Sequence, residues 1–231
     1  MSDPEDCVSL SLLPWIDFKA DDFKSFLNGG IKKSYYKNSA IVAQGEKMDS
    51  IFYLHQGKVK VLLLTEKGEE KLFWYASEGN IIGDVPFFHL YPSNAAIIAE
   101  TDCEVYSYDR KTFLGILHAN PEFADYMLSI MAKKIRVLIN QVQDISFNNP
   151  TKRISKLLYL LTQQFGEKSD TGGTEINLSI THKEIASITC VHRVTATNVL
   201  SILKNEGIIS KSDSGNIIVV DSARLFKYAF D

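Results

Sequence analysis

Short apolar runs fill the first half of the chain, and their length and spacing suit strands better than helices. From Lys33 to about Tyr108, five runs rich in Val, Ile, Tyr, Phe and Trp occupy 51–54, 58–64, 70–75, 96–99 and 104–108. Gly45, Gly57, Gly68 and Gly79 punctuate them at steps of 12, 11 and 11 residues, the turn spacing of an all-β sandwich or barrel. Glu66-Lys67-Gly68-Glu69 predicts a hairpin turn in which Gly68 supplies φ > 0. A small antiparallel roll is expected. Ahead of it, Ala20–Asn28 predicts a short amphipathic helix built on Phe23, Phe26 and Leu27 and stopped by Gly29.

The period then changes. Pro121 to Phe147 contains no further proline and no glycine, and Leu128, Met131, Ile135, Leu138, Val142 and Ile145 follow at steps of 3, 4, 3, 4 and 3. This a/d seam asks for a partner helix, with Lys133, Arg136, Asn140 and Gln143 kept off it. A homodimer interface is the sharper reading, and a helix packed on its own roll is the alternative. Asn148-Asn149-Pro150 ends the helix, because proline disfavours α conformation in the residue before it. Beyond the break, Thr151–Phe165 is a helix with Ile154, Leu157, Leu158 and Leu161 on one face. A polar loop over 166–174 and a strand over 175–179 follow.

Thr181 and Glu184 form a capping box at the start of a short helix, 181–189, with Ile185 and Ile188 inward. Cys190-Val191-His192 makes a tight turn into a second helix, Arg193–Glu206, whose inward positions are read as Val199, Ile202 and Leu203. This is the helix-turn-helix pattern, whose second helix enters the DNA major groove by its N-terminal end. A hairpin around Asp213–Asn216, closing on Ile217–Val220, supplies a wing with Lys211 available for a phosphate. Arg193, Val194, Thr197 and Asn198 share the outward face. Arg193 can fork onto guanine, Asn198 can bridge adenine or touch phosphate, and Val194 can offer only apolar contact, most naturally to a thymine methyl. Thr181, Lys183, Thr195 and Thr197 suit phosphate contacts, and His192 stands at the mouth of the helix. The rival reading is a helical pair with a solvated polar face.

Composition sharpens the picture by halves. The whole chain of 231 residues carries a formal charge of −3, which by itself argues against nucleic acid. Residues 1–147 hold 15 Lys and Arg against 20 Asp and Glu, whereas 148–231 hold 10 against 8, so the helix-turn-helix half is mildly basic. Cys7, Cys103 and Cys190 are scattered, which disfavours a disulfide scaffold, structural zinc or an iron–sulfur cluster. No apolar run approaches the ~18 residues of a membrane helix, and Met1–Asp6 is acidic, so no membrane role and a cytoplasmic location are expected.

The succession Gly57-Lys58-Val59-Lys60-Val61, Gly68-Glu69-Glu70, Gly79-Asn80-Ile81-Ile82-Gly83-Asp84, a long helix, then Thr181-x-x-Glu184-Ile185-Ala186 and Arg193-Val194-Thr195 resembles the cAMP-receptor/fumarate-nitrate-regulator (CRP/FNR) family of bacterial transcription factors. The resemblance covers nearly the whole chain. It implies an α+β chain with an effector-sensing jelly roll of the cyclic-nucleotide-binding type over 1–118, a dimerisation helix over 119–147 and a winged helix over 148–231. It further implies an activator that engages RNA polymerase and binds an inverted-repeat operator as a homodimer, with no cofactor and no enzymatic activity.

Cyclic-nucleotide members hold the cyclic phosphate with an Arg-Ser pair, and the corresponding positions are Asn94 and Ala95. Without guanidinium or hydroxyl, cAMP loses its charge-assisted partners. The runs Glu70–Tyr75, Asn149–Ile154 and Val191–Thr195 are similar to the halorespiration branch, whose effectors are chlorinated aromatics. That similarity implies an effector site of Trp74, Tyr75, Gly83, Asp84, Val85, Ser93, Asn94, Met131 and Lys134. In it Trp74 stacks on the ring and the Lys134 ammonium pairs with a phenolate or carboxylate. Asp84 departs from the branch, which would offer a basic group. Many family members carry glutamate at Val194, accepting from cytosine; valine predicts TTAAT-like half-sites in place of TTGAT. Asn198 stands in place of an arginine. Cys190 stands in place of a turn glycine, so that either φ > 0 is avoided or strain is tolerated. Two alternatives remain at this level: a ligand-free or redox-responsive regulator using a cysteine, and a cupin-type metalloenzyme, which the lack of any His-x-His pair disfavours.

Overall fold

The computed structural model describes residues 13–16, 27, 29–169 and 172–231. The helix expected over 20–28 lies outside these, apart from Leu27, and Cys7 lies outside them too. Contacts group the chain into two compact units, with the division between Ile135 and Arg136.

The first unit is built on β1 (Trp15–Ile16), β2 (Ile31–Tyr35), β3 (Ala40–Val42), β4 (Ser50–Gln56), β5 (Lys58–Leu64), β6 (Glu70–Ser77), β7 (Ile81–Ile82), β8 (Ala96–Ala99) and β9 (Cys103–Asp109). One sheet runs β2-β9-β4-β7 and the other β3-β8-β5-β6, with β1 added parallel on the β6 edge. Counting β2 as the first strand, this is the alternation of a double Greek key, so the roll is a jelly roll. The five strands expected from the sequence are β4, β5, β6, β8 and β9. At the predicted turn between β5 and β6, Gly68 has φ 77° and donates to the Thr65 carbonyl at 2.9 Å.

Two helices here carry no clear sequence signal. α1 (Asp84–His89) is only six residues long and starts from Gly83, whose φ of 81° lies in the left-handed region that favours glycine. α2 (Arg110–Ala119) is capped by Asp109, which accepts from the Thr112 amide. The Arg110 guanidinium ties the two together by donating to the Phe87 carbonyl at 2.6 Å. Leu27, Ile51, Tyr53, Ile81, Phe87, Tyr108, Phe113, Phe123 and Met127 form the core of this unit. Phe113 lies edge-on to both Phe87 and Phe123, with centroids 5.6 and 5.8 Å away.

α3 (Pro121–Phe147) runs without a break from the first unit into the second. Phe123, Met127, Ile130, Lys134 and Val137 are buried, at steps of 4, 3, 4 and 3. The heptad seam read from the sequence lies beside this stripe. Leu128, Ile135, Val142 and Ile145 are exposed by 65, 58, 63 and 45%, as is Ile139, while Met131 and Leu138 are half-buried. One helix therefore carries two apolar stripes.

The second unit continues with α4 (Pro150–Phe165), where Asn149 caps the Lys152 amide and Pro150 takes the first turn, in which a missing N–H costs nothing. Ile154, Leu157, Leu158 and Leu161 are buried as expected. The loop expected to begin at 166 is corrected: Gly166–Lys168 is β10, paired antiparallel with β11 (Thr174–Ile176), which stops three residues short of the expected strand end. Glycine had argued for a loop, but a side chain at 166 would collide with the Thr162 carbonyl, so its role is close packing. With β12 (Ile209–Lys211) and β13 (Ile217–Val219) these strands form a sheet ordered β10-β11-β13-β12. α5 (His182–Thr189), α6 (Arg193–Asn205) and α7 (Ser222–Phe230) complete the unit. α7, absent from the sequence reading, packs Phe226 and Phe230 edge-on against Tyr159 of α4.

Candidate DNA interface and effector site

The reading head starts from a cap. Thr181 accepts from the Glu184 amide while the Glu184 carboxylate accepts from the Thr181 amide at 2.8 Å, closing the predicted box. The turn to α6 passes through Cys190 at φ 55°, so the strain is present and tolerated. Arg153 on α4 donates to the carbonyls of Thr189 and Cys190, at 2.9 and 3.2 Å, and fixes the turn from behind. Sequence reasoning missed that role.

On α6, Ala196, Val199, Leu200 and Leu203 are buried, a set spaced i, i+3, i+4, i+7. Ile202, read as inward, is 48% exposed, and Leu200 takes its place; the two apolar pairs Val199-Leu200 and Ile202-Leu203 are compatible with either phase until packing selects one. His192, Arg193, Val194 and Asn198 are exposed at the N-terminal end of α6, Val194 by 71%. Thr181, Lys183 and Lys211 are also exposed, while Thr195 and Thr197 are half-buried. Thr197 is engaged within the domain, its hydroxyl 3.1 Å from Nδ1 of His182 on α5. Burial, then the positive charges of Lys211 and Arg193, hold the His182 pKa below its ordinary value.

The wing is pinned by a residue the sequence did not single out. Glu175 on β11 accepts from Ser214 Oγ at 3.1 Å and Asn216 Nδ2 at 3.0 Å, and hydrogen bonding from the Ser212, Asn216 and Ser214 side chains keeps its carboxyl below the usual range. Lys211 donates to the Gly215 carbonyl across the same hairpin. Between α6 and the wing lies a cleft of about 230 Å³ lined by His182, Leu200, Lys204, Lys211 and Ile217, among others.

The candidate effector residues separate into a buried group and a periphery. Trp74 is 8% exposed, and the Lys134 ammonium lies 5.6 Å from its ring centroid, within cation–π range. The same ammonium donates to Asp84 Oδ1 at 2.8 Å, with side chains only 7 and 5% exposed. The charge that the sequence assigned to an anionic effector is thus met by Asp84, and Lys134 is not a solvated flank of the seam. Removing either partner alone would leave a buried charge, at a cost of about 3–5 kcal/mol. Met131 lies one turn before Lys134, and Gly83 is the N-cap of α1, which places Asp84 in the first turn of that helix. Tyr75 does not join Trp74: neighbours along a strand face opposite ways, and Tyr75 is covered by Trp15, 5.2 Å away, and Lys58. Ser93 is buried with its hydroxyl donating to the Ala95 carbonyl, while Asn94 and Val85 are exposed.

Among the described residues no group of three or more His, Cys, Asp or Glu is placed to hold a metal, and no helix is long and apolar enough to cross a membrane. Cys103 is buried and Cys190 exposed, both as free thiols.

A jelly roll with a polar site buried against a long helix, joined to a winged helix-turn-helix, defines a ligand-sensing DNA-binding transcription regulator. Residues 32–120 match the Cyclic nucleotide-binding domain family and 152–228 the Crp-like helix-turn-helix domain family. The chain is 31% identical over 191 residues, 82% of its length and 89% of the relative's, to the cAMP-activated global transcriptional regulator CRP of Salmonella typhimurium. It belongs to the CRP/FNR family. Among solved structures, CprK complexed with OCPA is 28% identical with a TM-score of 0.77, over 92% of this chain and 97% of that one. Oxidized CprK in complex with o-chlorophenolacetic acid is 27% identical with a TM-score of 0.51, over 96 and 92%.

Proposed function

We propose that the chain is a homodimeric regulator that binds an inverted repeat with TTAAT-like half-sites, responds to a halogenated aromatic effector in place of cAMP, and acts through RNA polymerase. One observation carries the reading: α3 buries Lys134 beside Trp74 on one stripe and exposes Leu128, Ile135, Ile139 and Val142 on another. A ligand at the first stripe acts on the same helix that the second would pair with a second copy. Effector binding then alters how two α6 helices are presented to half-sites roughly 34 Å apart.

The aromatic class is favoured by Trp74 and by the likeness to CprK, a structure of which holds o-chlorophenolacetic acid. The cAMP-activated relatives favour a cyclic nucleotide, but Asn94 and Ala95 offer neither charge nor hydroxyl to its phosphate. In the DNA unit, Arg193, Val194 and Asn198 read bases, while Thr181, Lys183, His192, Thr195, Thr197 and Lys211 line the backbone approach. The test is operator binding by the full chain against a panel of halogenated phenols and aromatic acids, with cAMP as control. Enhancement by one or more of the aromatics and none by cAMP is expected; tight binding unchanged by every compound, or enhanced by cAMP, would overturn the reading. A redox alternative rests on exposed Cys190 in the helix-turn-helix turn. It requires operator binding that differs between reducing and oxidising buffers and is lost in Cys190→Ser.

A further inference from the structure

We propose that the α3 site takes its aromatic effector as a neutral phenol, not as an anion. The hydroxyl would donate to the free oxygen of Asp84 and accept from Lys134, with the ring against Trp74. This rests on the preceding reading that an aromatic effector binds beside Trp74, and it specifies the chemical form of that effector.

The observation is the unused hydrogen-bonding capacity of a buried pair. Asp84 Oδ1 accepts from Lys134, but Asp84 Oδ2 is fully buried and has no partner among the described residues. A carboxylate accepts at both oxygens and an ammonium has three donors. Among the described residues the pair leaves the second carboxylate oxygen unmet, in the setting where such a group is most costly, and the ammonium, hydrogen-bonded to Oδ1, has further donors to offer. A ligand group that both donates and accepts, at one atom, fits that deficit. A hydroxyl does both, and an aromatic hydroxyl brings the flat ring that Trp74 can pack against.

Charge decides between phenol and phenolate. The charged groups brought together here are Asp84 from α1 and Lys134 from α3, and they sum to zero; Trp74, from β6, is uncharged. A phenolate would bring a second negative charge against Oδ2 and offer it no proton, so the site disfavours it. A carboxylic acid would have to bind protonated. With an ordinary pKa near 4, that form is only about a thousandth of the total at pH 7, whereas a simple phenol, near 10, is already neutral. Asp84 thereby reverses the ligand polarity that Lys134 alone would favour.

The experiment is calorimetric titration of the full chain with phenol and with trichlorophenol, from about pH 6 to about pH 9. Chlorine withdraws electrons and brings ionisation toward neutrality, so only the second probe changes form across this range. Phenol affinity is expected to stay level, while trichlorophenol weakens by about tenfold per pH unit once it ionises. Asp84→Asn should abolish or reverse that fall, since Lys134 would then stand without its carboxylate. If that variant does not fold, Asp84→Asn combined with Lys134→Gln removes both charges together and is expected to weaken phenol at least tenfold; unchanged affinity counts against the inference. Wild-type binding of trichlorophenol that strengthens as it ionises overturns the neutral form and leaves the aromatic-effector reading standing. No binding of either probe, with operator binding also indifferent to them, overturns both.

Discussion

At the scale of single residues, two positions on the reading head set measurable quantities. Cys190 holds φ 55° where a glycine would be unstrained. A non-glycine residue in the left-handed region costs about 1–2 kcal/mol, and glycine's greater freedom in the unfolded chain costs about 0.4–1 kcal/mol. Strain is the larger, so Cys190→Gly should stabilise the domain by roughly 0.5 kcal/mol, read as a higher denaturant midpoint at unchanged slope. Val194, 71% exposed, has no group that can accept from cytosine. Val194→Glu should shift preference from TTAAT toward TTGAT half-sites by about 1–3 kcal/mol per half-site, measured by competition binding; unaltered preference would remove Val194 from base reading. The choice at Cys190 between avoiding φ > 0 and tolerating strain was open from the sequence, because only the tertiary path of the turn fixes that angle.

At the scale of elements, α3 shows how one helix can carry two stripes of equal period. The 3-4-3-4-3 seam runs from Leu128 to Ile145, while the adjacent stripe Phe123-Met127-Ile130-Lys134-Val137 is interrupted by a lysine and does not stand out as an apolar pattern. Burial assigns the second stripe inward and leaves Leu128, Ile135, Val142 and Ile145 of the first exposed. Glutamate at Leu128, Ile135 and Val142 together should therefore dissociate the proposed dimer without unfolding the chain. Sedimentation and circular dichroism check the two halves of that statement, and a dimer that survives the triple change would place the interface elsewhere. The α5–α6 pair carries a pH dependence. The folded state disfavours the proton on His182, so its contribution is full above the ordinary histidine value of about 6.5 and is lost as pH falls through the lowered value. Thermal midpoints should be level above about pH 7 and decline on acidification, with part of the slope removed in His182→Gln.

At the scale of the whole molecule, the small charge of the DNA-binding half, +2, would leave operator affinity in the proposed dimer dependent on few contacts and on the pairing of two half-sites. The effector proposed to act through α3 would then have leverage. Coupling between two sites is reciprocal, so whatever factor trichlorophenol adds to operator affinity, operator DNA must add to trichlorophenol affinity. A factor of about 5–150 is expected in both directions, and a one-sided effect would show that the two measurements report different states.

The roll, the long helix and the helix-turn-helix were legible in the sequence because their signals are local: glycine-spaced β runs, a proline-free helical period, a capping box. α1, α2 and α7 were not. The first has six residues, too few to show a period, and the other two follow strands or turns whose apolar residues mask their own. The exposure of the candidates Arg193, Val194 and Asn198 follows from the phase of one helix alone. The effector candidates could not be sorted that way, since Trp74, Asp84 and Lys134 come from three elements and meet only when the roll closes on α3. Tyr75 fell away from Trp74 by strand alternation, Thr197 turned out to be engaged by His182, and Lys134 proved to have its counter-charge within the fold. Sequence determines which groups exist and on which local face they stand; which of them meet, and so whether a buried lysine offers a charge or only a hydrogen bond, depends on long-range closure that only the tertiary structure decides.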